Sequence, residues 1–127
     1  MEQLIGSARK TLEAAGIPAH NISVHRAAGS FEVPLIGQEL ADTGSVDALI
    51  GLGIIVEGET HHAALLAEQA TRGMMDVQLE YGIPFAFEIL YVDDIAQAQE
   101  RVNKGEEAAY AVLHSLAELK RIRGDKR

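Results

Sequence analysis

Apolar positions along this chain switch repeatedly between helical spacing and continuous runs. Leu4, Ala8, Leu12 and Ala15 recur at helical intervals and stop at Gly16 and Pro18, which predicts a helix over 3–15. NISVHRA, residues 21–27, reads as a short strand. After Gly29, the stretch SFEVPLIGQELADTG predicts a loop and then a helix ending near Gly44, with Pro34 suited to a first turn. VDALIGLGIIV (46–56) and IPFAFEILYV (83–92) are continuous apolar runs with β-branched residues, as expected of strands buried on both faces. Between them, 60–81 reads as a long helix with Leu66, Ala70, Met74 and Val77 facing inward. Residues 94–122 predict helix, broken near Asn103–Gly105, with Ala109, Val112, Leu116 and Leu119 as one stripe.

The predicted order is therefore α-β-α-β-α-β-α. Strands alternating with helices imply an α/β fold, a parallel sheet layered between helices, here as a single domain over 1–127. Such sheets place their sites at the carboxyl ends of the strands, where this chain carries its unusual polar residues. A three-stranded parallel sheet is thin, and the chain opens on a helix. A further strand is expected, either before residue 1 or donated by a neighbour.

Composition narrows the function. Apolar residues make up 47% of 127, a globular proportion. Nineteen acids against eleven bases give a formal charge of −8, which argues against a general nucleic-acid role because phosphate binding needs surplus Lys and Arg. With no cysteine, disulfides and thiolate metal sites are excluded. The N-terminus lacks an apolar signal region, and no apolar run reaches the roughly 18 residues of a membrane span. A cytoplasmic location is the expectation.

The richest stretch is GLGIIVEGETHHAALLAEQA, residues 51–70. Gly58-Glu59-Thr60 lies where a strand gives way to a helix, a geometry whose outward N–H groups and helix dipole hold an anion. Thr60 also reads simply as an N-cap. His61 and His62 diverge by about 100° on a helix, so they do not easily chelate one metal together. A histidine near a helix N-terminus tends to stay neutral and available as a base, though taken alone it reads better as a surface or packing residue. In Gly29-Ser30-Phe31-Glu32-Val33-Pro34, Glu32 suits ligand hydroxyls, whereas the plainer reading packs Phe31 into the core. Arg101 and Lys104 suit a phosphate clamp or a solvated helix face.

GSFEVP, GLGIIVEGETHH, IPFAFEILYVDDIAQAQER and NKGEEAA, in this order over nearly the whole chain, resemble the lumazine synthase family. That resemblance implies a three-layer αβα fold with flavodoxin-like strand order. It implies condensation of 5-amino-6-ribitylaminouracil with 3,4-dihydroxy-2-butanone 4-phosphate, with no metal or organic cofactor. By motif, His62 matches the proton-moving histidine and His61 the variable position before it. Gly58, Glu59 and Thr60 match the phosphate-holding turn, and Arg101 the arginine that pairs with that phosphate. Ser30, Phe31 and Glu32 match the ribityl loop, while Val56 and Glu57 border the heterocycle. Phe87 matches an aromatic from the adjacent subunit and Lys104 the lysine of the N-K-G segment. Implied partners are copies of the chain, in pentamers or higher shells, and riboflavin synthase.

The chain departs from the family's pattern in four places. Glu57 stands where many members carry Arg or Lys, and Ala63-Ala64-Leu65 where they carry a Phe-acid-aromatic run. The spacing from Arg101 to Asn103 is shorter than usual, and the family's first, central strand has no counterpart within these residues. One alternative is a shell-forming or ribityl-pyrimidine-binding relative without turnover. Another is a metal hydrolase using Glu57, Glu59 and a histidine.

Overall fold

A computed structural model of the chain describes residues 1–57, 62–101 and 103–124. Helix α1 (Glu2–Ala14) buries Leu4 and Ala8, one turn apart on the same face. Gly16, at φ +101°, stops it: the Gly16 N–H donates to Glu13 O and the Ile17 N–H to Leu12 O, both at about 3 Å. Helix α2 (Val33–Thr43) starts on Val33-Pro34 and ends at Gly44 in the left-handed region. Strands β1 (Leu49–Val56) and β2 (Phe85–Val92) pair in parallel, Leu49 opposite Phe85 through Val56 opposite Val92. They are joined by α3 (His62–Tyr81), and β2 is followed by α4 (Ile95–Glu100) and α5 (Lys104–Ile122).

Helices cover both faces of this sheet. On one face Leu49, Ile55, Phe85 and Ile89 pack with Ala41 of α2 and Ala63, Ala70, Met74 and Val77 of α3. On the other, Leu90 and Val92 meet Leu4 and Ala98, and Ala86 meets Ala108 and Val112 of α5. Glycines on the α3 side of β1 set how closely the layers approach. A Cβ on Gly51 would lie 2.5 Å from Met74 Cε, and one on Gly53 would lie 2.7 Å from Ser30 Oγ.

Two expectations are corrected. Residues 22–27 form no strand; a one-turn 3₁₀ helix, Ala19–Asn21, is followed by chain without ladder pairing. An extended segment becomes a strand only beside a partner, and among the described residues these have none: a slot of about 840 Å³ lies between them and β1. Apolar side chains line it from three helices, including Ile5 and Leu12 of α1, Ile36 and Leu40 of α2, and Leu113 and Leu116 of α5. Leu66 is exposed, and Ala63 takes the inward position one turn before Ala67. The described sheet thus has two parallel strands flanked by helices. The break predicted near Asn103–Gly105 is the turn between α4 and α5.

Candidate active site

Candidate residues from separate parts of the sequence border the two strands. Ser30, Phe31 and Glu32 form one 3₁₀ turn leading into α2, closed by the Glu32 N–H donating to Gly29 O at 3.1 Å. Gly53 has no side chain, so Ser30 Oγ seats directly against β1. Glu32 folds back over Gly29, whose added Cβ would lie 3.3 Å from Oε1. Phe31 is 56% exposed, against the reading that packs it into the core. Within the single chain Phe31 is thus not packed into the core, and Glu32 beside it is half-buried.

Val56 closes β1 partly exposed, and Glu57 follows it. The Glu57 N–H donates to Val92 O at 2.9 Å, which extends the ladder one residue beyond the strand. Its carboxylate accepts a hydrogen bond from the Tyr91 hydroxyl. That bond is the leading reason the Tyr91 phenol sits above its ordinary pKa, with burial next and the negative charges of Glu57 and Asp93 adding to it. Tyr91 therefore remains a donor. Sequence reasoning missed it; its signal was a hydroxyl within an apolar run, four residues beyond the exposed Phe87 and on the same strand face.

His62 is the exposed first residue of α3. Arg101 lies exposed in the turn between α4 and α5, its N–H donating to Ala98 O and its carbonyl accepting from the Lys104 N–H. The start of α4 is pinned on both sides: the Gln97 N–H donates to Asp94 Oδ1 at 3.0 Å, and Gln97 Oε1 accepts from the Asp93 N–H at 2.8 Å. This fixes the helix that leads from β2 to Arg101. Lys104 pairs with Glu107 at 3.0 Å. Phe87 projects, 42% exposed, from the middle of β2 opposite Gly51, away from the strand ends. Gly58, Glu59, Thr60 and His61 lie outside the described residues. Among the described residues, no three His, Asp or Glu side chains form a group able to hold a metal ion.

Burial pushes the Glu88 carboxyl up from its ordinary value; Glu107 adds to this and Lys104 opposes it. A raised native pKa means the folded chain binds more protons than the unfolded one between the two values. Stability accordingly falls as pH rises through that window. Glu88→Gln is expected to flatten this slope and to raise the urea midpoint above the window, with little change below it. Denaturation at a series of pH values checks this.

The chain matches the family model described as 6,7-dimethyl-8-ribityllumazine synthase over residues 1–120. It is 36% identical over 127 residues to proteins named 6,7-dimethyl-8-ribityllumazine synthase in two strains of Nitratidesulfovibrio vulgaris, DP4 and Hildenborough. Each alignment covers 96% of this chain and 81% of the relative.

Proposed function

The chain belongs to the 6,7-dimethyl-8-ribityllumazine synthase family, and from that premise we propose how its own residues carry the reaction. Its activity is the transferase step of riboflavin biosynthesis that joins 5-amino-6-ribitylaminouracil to 3,4-dihydroxy-2-butanone 4-phosphate and releases phosphate. The match over residues 1–120 carries this reading; the seating of the Ser30–Glu32 turn against β1 supports its placement at the strand ends.

In this reading Ser30 and Glu32 take the ribityl hydroxyls and Phe31 flanks the ligand, while Val56 and Glu57 border the heterocycle. Gly58, Glu59 and Thr60 hold the substrate phosphate through backbone N–H groups, and Arg101 pairs with it. His62 moves protons during imine formation, phosphate elimination and ring closure; Lys104 lies at the phosphate end. Phe87, turned outward in the single chain, enters the site of an adjacent subunit of a pentamer or larger shell. The reaction needs no metal or organic cofactor, since the leaving phosphate and the histidine supply the polar chemistry. The protein works in the cytoplasm, and riboflavin synthase is a natural partner. Among the described residues, no helix is long and apolar enough to cross a membrane.

Product absorbance and fluorescence on mixing the two substrates test the reading; no product from the folded assembly overturns it. Arg101→Ala is expected to reduce kcat/KM about 10- to 150-fold, the loss of one charge-assisted hydrogen bond to the phosphate.

The three-layer arrangement with flavodoxin-like order is completed by a strand in the slot beside β1. The Leu49 N–H reaches Pro84 O, just before β2, and the Glu57 N–H reaches Val92 O, so by the parity of a parallel ladder those of Ile50, Leu52 and Ile54 turn toward the slot. Apolar lining from α1, α2 and α5 suits a strand buried on both faces. With the slot empty, the amides of Ile50, Leu52 and Ile54 are expected to exchange with solvent faster than those of Gly51 and Gly53. A filled slot makes the two sets alike. Residue-resolved hydrogen exchange reads the difference.

A further inference from the structure

Glu57 is held to β2 at two points. Its backbone N–H reaches Val92 O at 2.9 Å, and its carboxylate accepts from the Tyr91 hydroxyl. Tyr91 stands opposite Ile55 in the register, two residues before Glu57, so the phenol reaches forward along the strand ends to meet the carboxylate. Neither residue is needed there for packing: Tyr91 is 40% exposed, and both lie outside the clusters of buried apolar side chains.

A carboxylate at the exit of β1 is an awkward neighbour for a site that takes a phosphate dianion. Like charges within a few ångströms repel, and a mobile carboxylate competes with the phosphate for any arginine in reach. We propose that Tyr91 is a positioning residue that acts through Glu57, holding its carboxylate against β2 and so keeping that charge from the phosphate and from Arg101. The hydrogen bond also spreads the carboxylate's charge, which weakens its repulsion of an incoming anion. This rests on the lumazine synthase reading of the site and adds a residue to it.

The test measures inorganic phosphate affinity by calorimetry on the assembled protein, beside the rate of lumazine formation. Tyr91→Phe is expected to weaken phosphate binding about fivefold, the scale of one like charge a few ångströms closer in a solvated site. It is expected to raise KM for the butanone phosphate by a similar factor while kcat holds. In a Glu57→Gln background, the same Tyr91→Phe change is expected to leave phosphate affinity unaltered, because the charge it controls is gone. Equal phosphate affinity in wild type and Tyr91→Phe overturns the proposal. So does an equal fold-loss in both backgrounds, which would make Tyr91 a structural prop independent of Glu57. Wild-type protein that forms lumazine while either of these holds loses only this inference. Wild-type protein that forms no lumazine and binds no phosphate overturns both it and the reading beneath it.

Discussion

His62→Ala is expected to slow lumazine formation by about 10²–10⁴-fold, the usual contribution of a positioned acid–base group. The substitution should leave the fold intact, because His62 is exposed at the first residue of α3 and belongs to none of the buried clusters. The change should fall on kcat more than on KM, since proton movement belongs to the chemical steps and not to holding either substrate. His61→Ala is the control: His61 matches the variable position before the family's histidine, so one change is expected to disable and the other to do little. Steady-state kinetics on both variants, with circular dichroism to confirm folding, decides it. Equal loss from the two would move the proton-transfer role away from His62.

The second large effect concerns stability. Gly105, at the start of α5, is packed against the backbone of α1: an added Cβ would collide with Leu4 O and Ser7 Oγ and lie 3.0 Å from Ala8 N. Leu4 O and Ala8 N belong to the helix ladder and cannot swing aside as a side-chain tip does. Gly105→Ala is expected to cost about 3 kcal/mol, the upper end for overpacking, by prising α1 from α5. The damage should spread, because Leu4 on the same turn of α1 is 1% exposed and packs with Leu90, Val92 and Ala98. Urea unfolding measures the loss; a midpoint unchanged from wild type would show that the two helices slide apart at no cost. Lys104 is the neighbouring residue, so the same variant should also displace the lysine assigned to the phosphate end of the site.

Where packing writes itself into composition, the sequence was readable. Residues 49–56 and 85–92 are strands because both faces of each are covered, and that demands an unbroken apolar run. The stop at Gly16 and the start at Pro34 were legible for local reasons, a left-handed residue and a fixed φ. Residues 21–27 misled because β-branched composition reports a preference, whereas a strand also requires a neighbour's backbone. Leu66 misled because spacing alone did not fix which residues of α3 turn toward the sheet; Ala63 packs there instead. Of the residues proposed for the site, the Ser30–Glu32 turn and Arg101 were legible as motifs. Tyr91 was not, because its bond to Glu57 spans 34 residues and depends on strand register.

The two faces of β1 answer to different demands. Its α3-facing glycines leave room for Met74 and for Ser30 of the proposed ligand loop, whereas Leu52 and Ile54, on the opposite face, pack against the cluster of Leu4, Leu90, Val92 and Ala98. Alternation along a strand makes the two sets nearly independent over a length of eight residues. Substitution at 53 should therefore press on Ser30 and retune ligand preference, whereas substitutions at 51, against Met74 of the core, and at 52 and 54 should change thermal tolerance. One short strand gives the lineage two separate dials, so specificity and durability need not be traded against each other.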